Sequence, residues 1–207
     1  MKILLDILRG KTKSKNKHMK KLLGLTFITG LAACGSSDKP KEEVKQTVLV
    51  QSKNTAAFNL QFDKLMDDYF QLKDNFIAEK DSAITAYSKV IMADADSLKV
   101  TELKADSSII SKAKSYSESI SAELKGLLGE KTIDAKRKSF QMVSDQLFDL
   151  ARTVQYDNQK VYQQNCPMAF GETGANWLSK SSDIQNPYLP KKMLSCGEVK
   201  DSIGNVK

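Results

Sequence analysis

Two thiols and two thioethers stand near the end of this 207-residue chain, in Cys166-Pro167-Met168 and in Met193-Leu194-Ser195-Cys196. Sulfur donors are soft and select Cu(I) or Ag(I) over Zn, Ca or Mg. Zinc sites use Cys, His and carboxylate rather than Met, and the chain's one histidine, His18, lies far upstream. Cys-x-Met and Met-x-x-Cys each let two sulfurs converge where the backbone turns, and Pro167 makes the backbone there irregular. If the two ends are adjacent, Cys166, Met168, Met193 and Cys196 form a four-sulfur site, with Trp177 and Tyr188 capping it or packing beside it. The same residues admit a second reading. A Cys166–Cys196 disulfide would close a loop of about 31 residues, worth roughly 3.7 kcal/mol in chain entropy, with both methionines as apolar filler. Two buried thiols are a third. A dithiol oxidoreductase fits poorly, because such enzymes place both thiols as Cys-x-x-Cys at a helix start.

Other chemistry recedes quickly. The net charge of +7 sits in the leader: residues 1–33 hold eight of the 32 basic residues and only one of the 25 acids. The remainder is neutral overall, which gives a nucleic acid no basic footprint. With His18 in that leader, Ser-His-Asp and Cys-His nucleophiles are excluded from the rest of the chain. Di-iron bundles need Glu-x-x-His on facing helices, and phosphate-binding Gly-rich loops and Gly-x-Ser-x-Gly are absent from the sequence. The carboxylate pairs Asp67-Asp68 and Asp94-Ala95-Asp96 read as solvated helix faces. The expectation is a protein that is not an enzyme.

Residues 19–34 combine a basic start (Lys20, Lys21), an apolar run from Leu22 to Ala33, and Leu31-Ala32-Ala33-Cys34. The run is too short to span a bilayer core of roughly 20 helical residues and has the layout of a secretory signal. Its end resembles the lipobox of bacterial lipoproteins. That resemblance implies a signal peptide over 1–33, with 1–18 as an upstream extension, cleavage before Cys34, and lipidation of Cys34. Its acyl chains would anchor the protein to a membrane, and residues 34–55 would include a flexible tether. An address outside the cytoplasm favours oxidation of paired cysteines.

Positioning the sulfurs falls to the remaining elements. Neither Gly nor Pro occurs from Lys41 to Lys125 or from Glu130 to Cys166, which argues for long helices. Four amphipathic stripes follow: Phe62 to Phe76; Ile84 to Leu98, after an N-cap at Asp81; Ile109 to Leu127, ending near Gly129; and Ile133 to Val154. The expected fold is all-α, an antiparallel four-helix bundle over residues 56–207, with an irregular or short β-hairpin cap at 160–199. Val161–Gln163 and Met193–Ser195 are the candidate strands of that cap, which is rich in Pro and Gly. The aromatic stripe of Phe62, Tyr69, Phe76, Tyr87, Tyr116 and Phe140 reads as core. Val44–Thr55 has no assignment.

The cap carries a further signal. Cys166-Pro-Met-Ala169, Trp177-Leu-Ser179, Asn186-Pro-Tyr188 and Met193-x-x-Cys196-Gly197 occur in that order. In this the chain resembles a domain of unknown function found in Gram-negative envelope lipoproteins and fused to the C-terminal end of periplasmic adaptors of heavy-metal efflux pumps. The resemblance covers about Phe62 to Val199. Tyr69, Leu72, Arg137 and Phe140 fall where the helical half has similar residues, and Leu189-Pro190 departs from the usual aromatic-Gly. It implies an envelope location, copper or silver handling, and a heavy-metal efflux adaptor as partner.

Overall fold

The computed structural model describes residues 54–204. The expected signal peptide, Cys34 and the expected tether up to residue 53 lie outside the described residues. Four long helices come first: α1 (Ala56–Ile77), α2 (Asp81–Ser97), α3 (Ser107–Gly129) and α4 (Ile133–Thr153). Three strands follow: β1 (Val161–Cys166), β2 (Ala175–Ser179) and β3 (Glu198–Ile203). No helix among the described residues is long and apolar enough to cross a membrane.

The helix starts follow from local chemistry. Thr55 accepts a hydrogen bond from the Phe58 amide at 3.1 Å, Asp106 accepts from Ser108 and Ile109 at 2.9 and 3.0 Å, and Thr132 accepts from Ala135 at 3.2 Å. Each satisfies amides that the first helical turn leaves without a partner. Asp81 departs from expectation. It is the first residue of α2, and the N-cap, Lys80, makes no side-chain cap. The Asp81 carboxylate instead meets the buried Lys136 ammonium of α4 at 2.6 Å. A charge-assisted bond to a buried ammonium outcompetes an exposed cap.

Consecutive helices pack on one another, and the 3–4 spacing of apolar residues decides which face is buried. Phe58, Phe62, Leu65, Met66, Tyr69, Leu72 and Phe76 of α1 are fully buried. Phe140 of α4 meets this row, stacking on Tyr69 at 5.4 Å and lying 4.6 Å from Phe76. Such ring pairs add about 0.5–1.5 kcal/mol each beyond area burial. Tyr87 and Tyr116 are only partly buried and flank this core.

The cap is where the fold departs from an all-α expectation. It is a three-stranded antiparallel sheet in the order β2-β1-β3. Val161–Gln163 is strand as expected and continues to Cys166. Met193–Ser195 is not strand. Lys192 and Met193 both donate to the Leu189 carbonyl, at 3.2 and 2.8 Å, and Cys196 donates to that of Met193 at 3.1 Å. Pro190 favours the second position of that first turn, where its fixed φ fits and its missing N–H costs nothing. The ladder partner of β1 on that side starts only at Glu198, after Gly197 has reversed the chain.

Candidate functional site

Cys166 ends β1, the central strand, and is buried. Cys196 lies between the Leu189–Cys196 turns and β3 and is half-buried. Both are thiols, and their Sγ atoms stand 2.8 Å apart. Pairing of Asn165 with Glu198 across β1 and β3 brings residues thirty apart in sequence together. The approach depends on Gly197. Its φ is +148°, and a Cβ there would lie 2.7 Å from the Asn165 carbonyl oxygen and 2.9 Å from Cη2 of Trp177.

The methionines flank the pair. The Met193 carbonyl accepts from the Cys196 amide at 3.1 Å, and the Met168 amide dipole acts on the Cys196 thiol. Both side chains reach solvent, Met168 at 42% and Met193 at 38% exposure. A backbone bond thus ties Met193 to Cys196, on the outer side of a buried Cys166. Just beyond Met168, a single helical turn at Ala169–Glu172 is broken by left-handed Phe170 and Gly171, φ 53° and 68°. Burial and the hydrogen-bonded Cys166 thiol raise the Cys196 thiol above its ordinary pKa, the Cys166 bond contributing most, while the Met168 amide opposes the shift. Protonated thiols must lose their protons before they can bind a metal.

Trp177 and Tyr188 pack beside the site. Trp177 is fully buried beneath Gly197. Tyr188 lies against Trp177, Phe170 and Phe140, with ring centroids 5.3 to 6.0 Å apart, and its hydroxyl donates to the Asn176 carbonyl. Burial pushes its pKa well above the ordinary value, so it remains a donor. Tyr69 reaches the sheet from α1: its hydroxyl accepts from the Leu178 amide at 3.0 Å and bonds Ser144 at 2.7 Å.

Two positioning groups escaped the sequence reading. Asn186 is fully buried; its amide group accepts from Tyr188 at 2.8 Å and donates to the Met193 carbonyl at 3.3 Å, while its backbone N–H bonds that of Leu194 at 2.8 Å. It clips the loop that carries Met193. Asn followed by Pro is a turn signal, and Asn186-Pro-Tyr188 stood among the blocks of the resemblance, but neither pointed to a clip on Met193. The second group is a relay from α4: Asp145 accepts from Asn176 at 2.8 Å, and Asn176 accepts from Asn165, the neighbour of Cys166, at 2.8 Å.

Burial raises the Asp145 carboxyl above the ordinary carboxylate value, with the Asn176 bond opposing and Asp149 adding. A raised carboxyl favours the folded state in its protonated form, so that stability is fully present below the unfolded pKa and lost as pH rises through the folded one. Asp145→Asn keeps an acceptor for Asn176 without the charge. Its stability relative to wild type is therefore expected to improve from pH 4 to pH 7, measured as urea midpoints; a difference constant with pH would contradict this.

Three of the four carboxylates in the two pairs, Asp67, Asp68 and Asp94, are engaged in ion pairs. Lys64 bridges Asp68 and Asp94 at 2.8 and 2.7 Å, and Lys180 holds Asp67 at 2.6 Å. Among the described residues, no three His, Cys, Asp or Glu side chains gather as a metal site.

No curated protein and no solved structure matches the chain. Residues 65–159, from within α1 to the loop before β1, match the family model DUF3347, described as a protein of unknown function, and Cys166, Met168, Met193 and Cys196 lie beyond the matched stretch.

Proposed function

We propose that this is a non-enzymatic lipoprotein of a Gram-negative envelope, anchored through acylated Cys34, that binds Cu(I) or Ag(I) at Cys166, Met168, Met193 and Cys196. On this reading the helices form an antiparallel four-helix bundle that supports the cap, and the protein assists heavy-metal efflux or tolerance by passing ions to an efflux adaptor. The observation that carries it is the 2.8 Å approach of two thiols flanked by two solvent-reaching methionines. The donor set suits the ion: four soft sulfurs, no imidazole, no gathered carboxylates. Thiolates supply affinity, and neutral thioethers complete coordination without adding charge. Cys196 lies on a half-exposed turn, whereas Cys166 is fixed in the central strand.

The test is an anaerobic Cu(I) competition titration against a chromogenic chelator, on reduced full chain carrying Cys34→Ser. The expected result is one Cu(I) per chain, held at least about tenfold more weakly after Met168→Leu with Met193→Leu. Binding indifferent to both methionines would reject the four-sulfur site. The same sulfur separation supports a second reading, a non-catalytic structural or interaction module locked by a Cys166–Cys196 disulfide. Resistance of that disulfide to reduction in the folded protein would favour it.

A further inference from the structure

The two sulfurs differ in access. Cys166 is completely buried, in the strand hydrogen-bonded on both sides. Cys196 is half-buried, at the end of turns whose neighbouring residues Leu194 and Ser195 are exposed. A reagent from solvent meets Cys196 first. Closing the 2.8 Å gap to a disulfide bond of about 2.05 Å needs less than about 1 Å of movement, which the turn can supply without disturbing β1.

We propose that the pair is a redox gate operated through Cys196, in which a low-molecular-weight disulfide oxidises the dithiol and thereby removes the two thiolates from the metal site. The proposal rests on the soft-metal reading only for what the gate controls. The Cys196 thiol loses its proton, and its sulfur attacks one sulfur of the outside disulfide; a mixed disulfide forms and one thiolate leaves. Cys166 then loses its proton and attacks Cys196 Sγ, forming the Cys166–Cys196 disulfide and expelling the second thiolate. Two protein thiols and one disulfide become one protein disulfide and two small thiols, the protons going to the departing thiolates. The gate reopens when excess small thiol reverses the exchange, with Cys196 again the accessible sulfur. This is stoichiometric regulation rather than turnover, consistent with the absence of Cys-x-x-Cys from the sequence.

The experiment uses full chain carrying Cys34→Ser, metal-free, with glutathione disulfide as the probe and mass spectrometry as the readout. Wild-type sulfurs should pass to the intramolecular disulfide without accumulating adduct. Cys166→Ser should trap a mixed disulfide at Cys196, while Cys196→Ser should form adduct at Cys166 at least about tenfold more slowly. Since either variant can disturb folding, native alkylation of the unsubstituted pair gives an independent check: Cys196 should react at least about tenfold faster than Cys166. Equal rates at the two cysteines, or a wild-type adduct that never resolves, would overturn the proposal. Titrating both redox forms with Cu(I) separates the two readings. Binding by the reduced form alone supports the gate, and equal binding by both forms overturns it. Failure of both to bind rejects the metal site and with it what the gate controls, while the exchange order stands on its own data.

Discussion

Gly197→Ala is expected to cost about 2–5 kcal/mol of folding stability, from overpacking and from a positive φ imposed on an L side chain. The crowding is mainly against groups that cannot yield. The new methyl would face the Asn165 carbonyl oxygen at 2.7 Å, Cη2 of the buried Trp177 at 2.9 Å and Cγ2 of Ile184 at 3.2 Å. Relief requires β3 to lift from β1 beside Cys196, so the thiols should separate. Gly204→Ala is the matched control. Its methyl would lie 2.0 Å from the Gln159 carbonyl oxygen, with φ at +79°, at the opposite end of the β1–β3 ladder. Urea midpoints should fall in both variants, but native alkylation of Cys166 should accelerate only in Gly197→Ala. Equal acceleration in both would mean that Gly197 protects the pair through global stability alone.

The helices were legible because local chemistry and tertiary burial agree along them. Stripes at Phe62, Leu65, Met66, Tyr69, Leu72 and Phe76 recur on one face and are fully buried, and Thr132 caps α4 where the pattern begins. Asp81 misled because its partner, Lys136, is distant in sequence. The sheet was largely illegible for the same reason. In β2, Trp177, Leu178 and Ser179 are all buried, so the alternation that marks a half-exposed strand is missing. In β3, Glu198, Val199, Lys200 and Asp201 are all exposed, and only the ladder with β1 makes them a strand. The sulfur residues could be picked out by type alone. Their adjacency follows from pairing of β1 with β3, which no local pattern encodes.

Arg137 shows what a helical position can do for the cap. Its guanidinium is buried, yet it bonds the Pro187 carbonyl at 2.8 Å, the Phe76 carbonyl at 3.3 Å, Glu79 at 3.1 Å and Asp134 at 2.6 Å. One side chain of α4 thus joins the end of α1 to the loop that leads to Met193. Asp134 is 90% exposed and loses little if the arginine goes. The Pro187 carbonyl decides the magnitude: the Phe76 carbonyl keeps the Glu79 amide at 3.3 Å, whereas a buried acceptor left without a donor costs about 1–3 kcal/mol. Arg137→Met is therefore expected to lower stability by about 1–3 kcal/mol. Arg137→Lys should recover little, because a single ammonium cannot reproduce the planar fork that serves four acceptors. Hydrogen exchange should speed up at Asn186, whose amide bonds the Leu194 carbonyl. The pH dependence gives a second readout. Lys191 first, then Arg137, hold the Glu79 carboxyl below its usual range. Such a group contributes stability above its unfolded pKa that is lost as pH falls through the folded one. The deficit of Arg137→Met should accordingly narrow below about pH 4, and a deficit that persists unchanged there would assign the whole effect to the Pro187 carbonyl.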